Sequence, residues 1–377
     1  MISGDVALTR GPSTRRASSR AGIDKEEPID VWECHGANGT VRRGALSSAV
    51  VSSCVARPLY LALRIALLFL SVTPGEGYGQ GLPEFAPLNP MGSSRSGLYF
   101  QPYLDPAPGR WAASLAVDYA SVIEYNRFPP ADYVLDSELL RAALRLRRDL
   151  GSHTFLTLAT SIGGAYAGFM DGFLDWYHGT LGIRVSERES RPRDRFLYSV
   201  TVPQRPSVTR SRSDFFLEDT RLGLGVRHGS IAQTVFSLTL PTSTGPAGYG
   251  RGVGSFSILN TVRTRLNLKL LYEASLGVGF TPAHGSLSEL QRELFVAVTS
   301  GLRARVLGQH SVFANLFYHS PYYRETTLPA LDSRELSLDF GWILQTDQGG
   351  EWRVGLTEDL EPGGPGVDLV LRFGRAF

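Results

Sequence analysis

Lysine is nearly missing from this chain. Only Lys25 and Lys269 carry an ammonium group, so the basic side of a formal net charge of +2 is almost entirely arginine. No basic block accumulates, which argues against nucleic acid as a partner. Cysteine is equally scarce. Cys34 and Cys54 both fall early in the chain, so disulfides have no part in whatever fold follows them. Long hydrophobic runs are absent as well: mean hydropathy is −0.07, and the run from Leu59 to Val72 falls short of the roughly 20 apolar residues a membrane helix requires. Any insertion into a membrane must therefore be made by strands. No metal-ligand spacing, phosphate loop or paired-cysteine site occurs, and no cofactor is expected.

The run from Leu59 to Val72, preceded by Arg57, interrupted by Arg64 and followed by Gly75, Gly77 and Gly79, reads as a secretory signal peptide. It stands unusually far from Met1. Residues 1–54 are rich in Ser, Arg and Gly without an apolar period, and read as a disordered or over-extended leader with the true start near Val55. Residues 55–79 are then the signal. Residues 80–109 form a proline-rich segment in which Pro83, Pro87, Pro90, Pro102, Pro106 and Pro108 forbid a regular central strand. That segment is expected in the periplasm or tucked into a barrel lumen as a plug.

Residues 110–377 change character. Leu266, Leu268, Leu270, Tyr272, Ala274, Leu276, Val278 and Phe280 alternate with Asn267, Lys269, Glu273, Ser275, Gly277 and Gly279. Leu336, Leu338, Phe340, Trp342 and Leu344 alternate with Glu335, Ser337, Asp339, Gly341 and Gln345 in the same way. One face is apolar and the other polar, with period two. Val367, Leu369, Leu371, Phe373 and Phe377 share a parity in the last strand, which ends on an aromatic as final outer-membrane strands do. Connections alternate between short, such as Asp149 to Ser152 and Leu307 to Gln309, and long, such as Tyr125 to Ala131, Phe169 to Ser213 and Pro241 to Arg251. The pattern predicts an all-β, up-and-down transmembrane barrel of about twelve strands. Fourteen is the alternative, if Gly97 to Leu104 and Phe196 to Val202 also join the wall.

Several short motifs carry a resemblance: Gly163-Gly164 through Asp171-Gly172-Phe173, Asp175-Trp176-Tyr177-His178-Gly179, Glu218-Asp219-Thr220-Arg221-Leu222-Gly223-Leu224-Gly225, and Leu240-Pro241-Thr242-Ser243 through Gly250. The chain resembles an uncharacterised family of proteobacterial outer-membrane proteins, a domain of unknown function. The resemblance implies a location in the outer membrane of a Gram-negative bacterium and a barrel fold, and no activity. One position departs from barrel signatures, which place a hydrophobic residue two before the terminal aromatic; here it is Arg375.

Parity points Arg141, Arg145, Arg147, Arg221, Arg227, Arg263, Lys269, Glu273, Arg303, Arg305, Glu335, Asp339, Arg353, Asp368 and Arg372 inward. Such a lumen is either an aqueous path biased toward anions, as in a porin-like passive channel, or a network of ion pairs tying a narrow, occluded structural barrel. Leu270, Leu338 and Leu369 are expected to face lipid. Expected partners are outer-membrane lipid, the barrel-insertion machinery through the strand ending in Phe377, and small solutes or ions.

An enzyme is the alternative. The long Phe169 to Ser213 connection holds one helix capped by Asp171, in which Asp175 and His178 share a face as orienter and base, or lie exposed on an interfacial or lumen-covering helix. His284 and Ser286, like His228 and Ser230, invite comparison with outer-membrane phospholipases, whose Ser follows its His by two residues. Here an intervening Gly marks both pairs as turns. A lipid-modifying hydrolase would need such a Ser, a His and a carboxylate to converge at the level of the outer leaflet.

Overall fold

The chain divides into two units, residues 1–47 and 48–377, and the computed structural model describes residues 81–107, 109–182, 192–347, 349–361, 364–365 and 367–377, all in the second unit. The leader and the signal peptide lie outside the described residues.

The strands are β1 (Trp111–Phe128), β2 (Ala131–Asp149), β3 (Thr154–Tyr166), β4 (Leu197–Thr201), β5 (Val208–Thr209), β6 (Ser213–Leu217), β7 (Thr220–His228), β8 (Ala232–Leu240), β9 (Ser255–Arg265), β10 (Leu270–Phe280), β11 (Leu294–Leu307), β12 (His310–His319), β13 (Glu335–Gln345), β14 (Glu351–Asp359) and β15 (Leu369–Ala376). Twelve of them close a ring. Each pairs antiparallel with its chain neighbour, β3 passes directly to β7, and the seam is β1 on β15. This is an up-and-down barrel of the transmembrane type, with the expected count. Fourteen is corrected: residues 97–104 form no strand, and β4 lies on the far end of β2, outside the ring, with β5 beside it. β6 continues β7 along β3 across an irregularity between Gly163 and Ala165.

Alternation does what the pattern requires. In β10, Leu271, Glu273 and Ser275 are buried, while Leu276, Val278 and Phe280 stand 48, 46 and 43% exposed. A closed ring whose outer face is apolar needs an apolar surround, because isolated exposed leucines are ordinary but a complete belt of them is not.

One connection differs from expectation. Tyr125 to Ala131 is no long loop: β1 and β2 run for 18 and 19 residues and join at Pro129-Pro130. Along β2 the apolar alternation is lost because Ala131, Tyr133, Val134 and Leu135 are all buried, on both faces of the strand. Tyr133, on β2, packs edge-on to Tyr198 of β4, with 6.4 Å between ring centroids.

Residues 81–107 fill the ring. Leu82, Phe85, Leu98 and Phe100 share one buried cluster with the inward Phe295, Ala297, Phe313 and Phe317. Phe85 and Phe100 exchange backbone hydrogen bonds of 3.1 and 2.7 Å, so the segment doubles back as a hairpin. Helix α1 (Pro90–Arg95) makes its tip, started by Pro90 and capped by Asn89, whose Oδ1 accepts from the Met91 amide at 2.7 Å. Prolines suit this path because, beyond the Phe85–Phe100 pair, carbonyls and amides of the hairpin such as those of Pro87, Pro102 and Leu82 bond to wall side chains rather than into a ladder.

Helix α2 (Asp171–Leu181) lies against the outside of the wall. Glu138 Oε1 accepts from the Phe169 amide at 2.7 Å and also from Met170, and Tyr177 donates to Glu358 at 3.1 Å. Gly168, at φ +73°, is required: a Cβ there would stand 1.8 Å from the Glu138 carboxyl carbon. Met170 and Leu174 bury Leu369. The expectation that Leu369 faces lipid is therefore corrected. Its parity is outward, but a helix covers it.

Candidate functional site

The hairpin is held to the wall chiefly by wall side chains reaching its backbone. Arg141 donates to the carbonyls of Pro87 and Ala86 at 2.8 Å each and pairs with Asp118 at 2.6 Å. Arg303 spans Gly81 O at 2.8 Å and Glu351 at 2.7 Å. Gln233 donates to Pro102 O at 2.8 Å, Thr261 to Gln101 O at 2.9 Å, and Arg227 to Leu104 O at 2.6 Å. Carboxylates of the hairpin answer wall arginines. Glu84 meets Arg145 at 2.6 Å, and Asp105 accepts from Arg263 at 2.9 Å.

The remaining inward positions are placed as follows. Arg147 pairs with Asp149 at 3.3 Å, and Arg227 also reaches Asp149. Arg353 joins Glu351 at 3.0 Å. Arg372 lies 3.4 Å from Asp339 and 3.6 Å from Asp118. Glu335 accepts from Tyr322 at 2.6 Å. Arg221 differs from these, stacking 3.6 Å over the Tyr99 ring and donating to Gly97 O at 3.4 Å, with no carboxylate partner among the described residues. Lys269 and Arg305 stand exposed at the short-turn rim, where the Arg305 amide donates to Lys269 O at 2.8 Å.

Space remains on one side of the hairpin, against β2, β3 and β7. A vestibule of about 450 Å³ at the long-loop end is bordered by Asp219 and Arg251. Both residues also border a cavity of about 70 Å³ beside Arg141 and Ser161. That cavity in turn shares Arg145, Ala159 and Arg221 with a third, of about 100 Å³, which reaches Arg147, Asp105 and Phe377 at the other end. The three are neighbours through shared walls: Asp219 and Arg251, 3.5 Å apart, stand between the first two, and Arg145, Ala159 and Arg221 between the second and third. Burial pulls the Arg251 guanidinium down to about 10, which leaves it charged at neutral pH.

The four residues of the hydrolase reading are not brought together. Asp175, on α2, pairs with Arg193 beyond the helix at 2.5 Å, and His178 sits on the same helix beside Tyr177. His284 and Ser286 belong to the β10–β11 loop, where Gln291 accepts from the His284 amide at 2.8 Å and donates to Ser286 O at 3.1 Å. Gly229 and Gly285 both adopt φ +70°, so each His-Gly-Ser is a turn. Among the described residues no three of His, Cys, Asp and Glu could hold a metal ion.

Vestibule residues Arg95 and Arg210 were missed by reading parity, because neither lies on a strand. The glycine spacing of residues 245–252 was the available signal: a Cβ on Gly248, at φ +92°, would stand 2.2 Å from Arg210 Nε.

The family described as Protein of unknown function (DUF3187) matches residues 60–225, and the chain resembles that uncharacterised barrel family. No protein of curated function matches significantly. Among solved structures, the chain is similar to the COG4313 outer membrane channel from Pseudomonas putida F1, at 13% identity and TM-score 0.44, covering 72% of this chain and 97% of that one. It is also similar to the Ralstonia pickettii toluene transporter TbuX, at 9% identity and TM-score 0.35, covering 72% and 88%. The KdgM porin matches at 9% identity and TM-score 0.35, covering 70% and 98%. The closure of the barrel rests on its own strand register, not on these likenesses.

Proposed function

We propose that this chain is an outer-membrane barrel of a Gram-negative bacterium, in which residues 81–107 narrow the lumen to an arginine-bordered path for small solutes. Three neighbouring cavities that share lining residues carry this reading. Arginines along the path raise the local concentration of anions in a low-dielectric passage, so passive flow should favour anions. Residues 55–79 would direct export, and the strand ending in Phe377 would present the chain to the insertion machinery. A mature N-terminus near Gln80, read by mass spectrometry of outer-membrane fractions, tests the export step; recovery of peptides containing Cys34 would defeat it.

Channel activity is tested with the purified protein in planar bilayers. The expected result is a small conductance whose reversal potential in a salt gradient favours chloride over potassium. Glu84→Gln releases Arg145 where two cavities meet and should raise that conductance. A second reading, an occluded structural barrel, is supported by the pairing of Arg141, Arg303, Arg353 and Arg372 with carboxylates. Silence in both wild type and Glu84→Gln would decide for it.

A further inference from the structure

The vestibule holds more positive charge than it neutralises. Arg95, Arg210 and Arg251 line it, and Asp219 is the one carboxylate among its lining residues. Asp219 is fully engaged, accepting from the Ser243 amide at 3.1 Å, the Arg251 amide at 2.9 Å and the Arg251 side chain at 3.5 Å. Arg95 is 2% exposed and donates to carbonyls alone, those of Pro282, Thr281 and Arg292 at 3.3, 3.3 and 3.0 Å. Arg210 is 9% exposed and donates to Pro90 O and Ser94 Oγ at 3.3 Å each, with its guanidinium 4.3 Å over Tyr198. No carboxylate pairs with either among the described residues. The Nε atoms of all three arginines, and the hydroxyl of adjoining Tyr249, find no hydrogen-bond partner.

A nearly buried guanidinium whose hydrogen bonds go only to neutral acceptors is weakly compensated where charge is expensive, Arg95 having only Glu293, beyond ion-pair distance, to offset it. Two in one cavity, with a third only loosely paired, favour an anion between them. Met91, Tyr198, Val200, Leu287 and Tyr323 supply apolar wall, beside polar Ser207, Thr209, Ser243, His284, Ser286 and Gln291. A volume of about 450 Å³ lies within the roughly 300 to 1,000 Å³ typical of sites for organic ligands, and far exceeds the needs of a halide. Guanidinium forks match carboxylate geometry better than they match a spherical ion.

We infer that the vestibule is a binding site for a small organic anion, with its carboxylate between Arg95, Arg210 and Arg251 and an apolar body of about one ring against Met91, Tyr198 and Tyr323. The site names a solute class for the proposed channel and rests on that reading for its physiological purpose. Binding itself does not need conduction.

Sodium benzoate, inorganic phosphate and benzylammonium are the probes, titrated calorimetrically into the full chain in detergent. Benzoate should bind saturably and benzylammonium should not. Arg210→Gln should weaken benzoate about tenfold or more, the weight of one charge-assisted hydrogen bond. Ala247→Trp, which fills the mouth and leaves every arginine in place, should abolish binding and keep the heat-modifiable gel mobility of a folded barrel. Equal binding of benzoate and benzylammonium, or benzoate binding untouched by Ala247→Trp, would overturn the site. Phosphate binding as tight as benzoate would overturn the apolar subsite. A protein that binds benzoate without passing current keeps the site and loses the channel; current without benzoate binding does the reverse.

Discussion

Glu273 of β10 grips both legs of the inner hairpin with one carboxylate: Oε2 accepts from the Leu82 amide at 2.6 Å and Oε1 from the Tyr103 amide at 3.1 Å. The two amides lie on opposite sides of the tip helix. A single wall side chain thus clamps the base of the hairpin. Glu273→Ala should cost about 2 to 4 kcal/mol, since two buried amides lose their acceptor. Urea titration of the folded barrel measures the loss, and limited proteolysis should find residues 81–107 newly cleavable.

The two faces of β10 should respond oppositely to charge. Leu276→Arg or Val278→Arg places a guanidinium on the apolar outer belt and should cost about 2 to 4 kcal/mol near the midplane of a bilayer. Ser275→Ala, on the inner face, should cost well under half of that. Refolding equilibria in lipid vesicles separate the two, and equal damage on both faces would contradict a membrane-embedded wall.

Helix α2 provides a similar contrast over a single turn. Leu174 is fully buried against Leu369, whereas Trp176 is 65% exposed. Leu174→Ala should destabilise by about 2 to 5 kcal/mol and release the helix, while Trp176→Ala should change stability by no more than about 0.5 kcal/mol. In a variant whose other tryptophans are replaced by Phe, brominated lipid should quench Trp176 if the exposed side of the helix meets the bilayer.

The arginines of the lumen should divide into ties and free charges. Arg303→Ala leaves Glu351 buried with weakened compensation and should cost about 3 to 5 kcal/mol. Arg221→Ala, which removes a stack on Tyr99 and no ion pair, should cost about 1 kcal/mol. If the path conducts, Arg221→Ala should also raise conductance and reduce its anion preference, read from reversal potentials.

How much of this could be read in advance differs between wall and contents. Strands such as β10 were legible because water and oil on opposite faces write a period of two into Leu270 through Phe280. Arg141 and Arg303 could be pointed inward on the same ground. Their partners could not be named, because they are carbonyls of Pro87, Ala86 and Gly81, and a backbone acceptor leaves no mark on residue type. The β1–β2 hairpin was hidden for a related reason: beyond the apolar belt its faces meet Tyr198 and the loops, so the outer side of the strand need not be oily. The covering of Leu369 was invisible because parity assigns a direction, not what lies there.

The hairpin inside the ring constrains how the molecule can be assembled. Residues 81–107 precede β1, and the seam that completes the ring joins β1 to β15, whose terminal Phe377 amide donates to Ala113 O at 2.9 Å. A segment that precedes β1 in the chain is therefore enclosed by a ring that β15 completes. If the seam zipped around an empty ring, a chain bearing α1 at its tip would afterwards have to be threaded through the short-turn opening, past the side chains that hold it. Docking before closure avoids that passage, with Arg141, Glu273 and Arg303 then available as a template on which the sheet would curl.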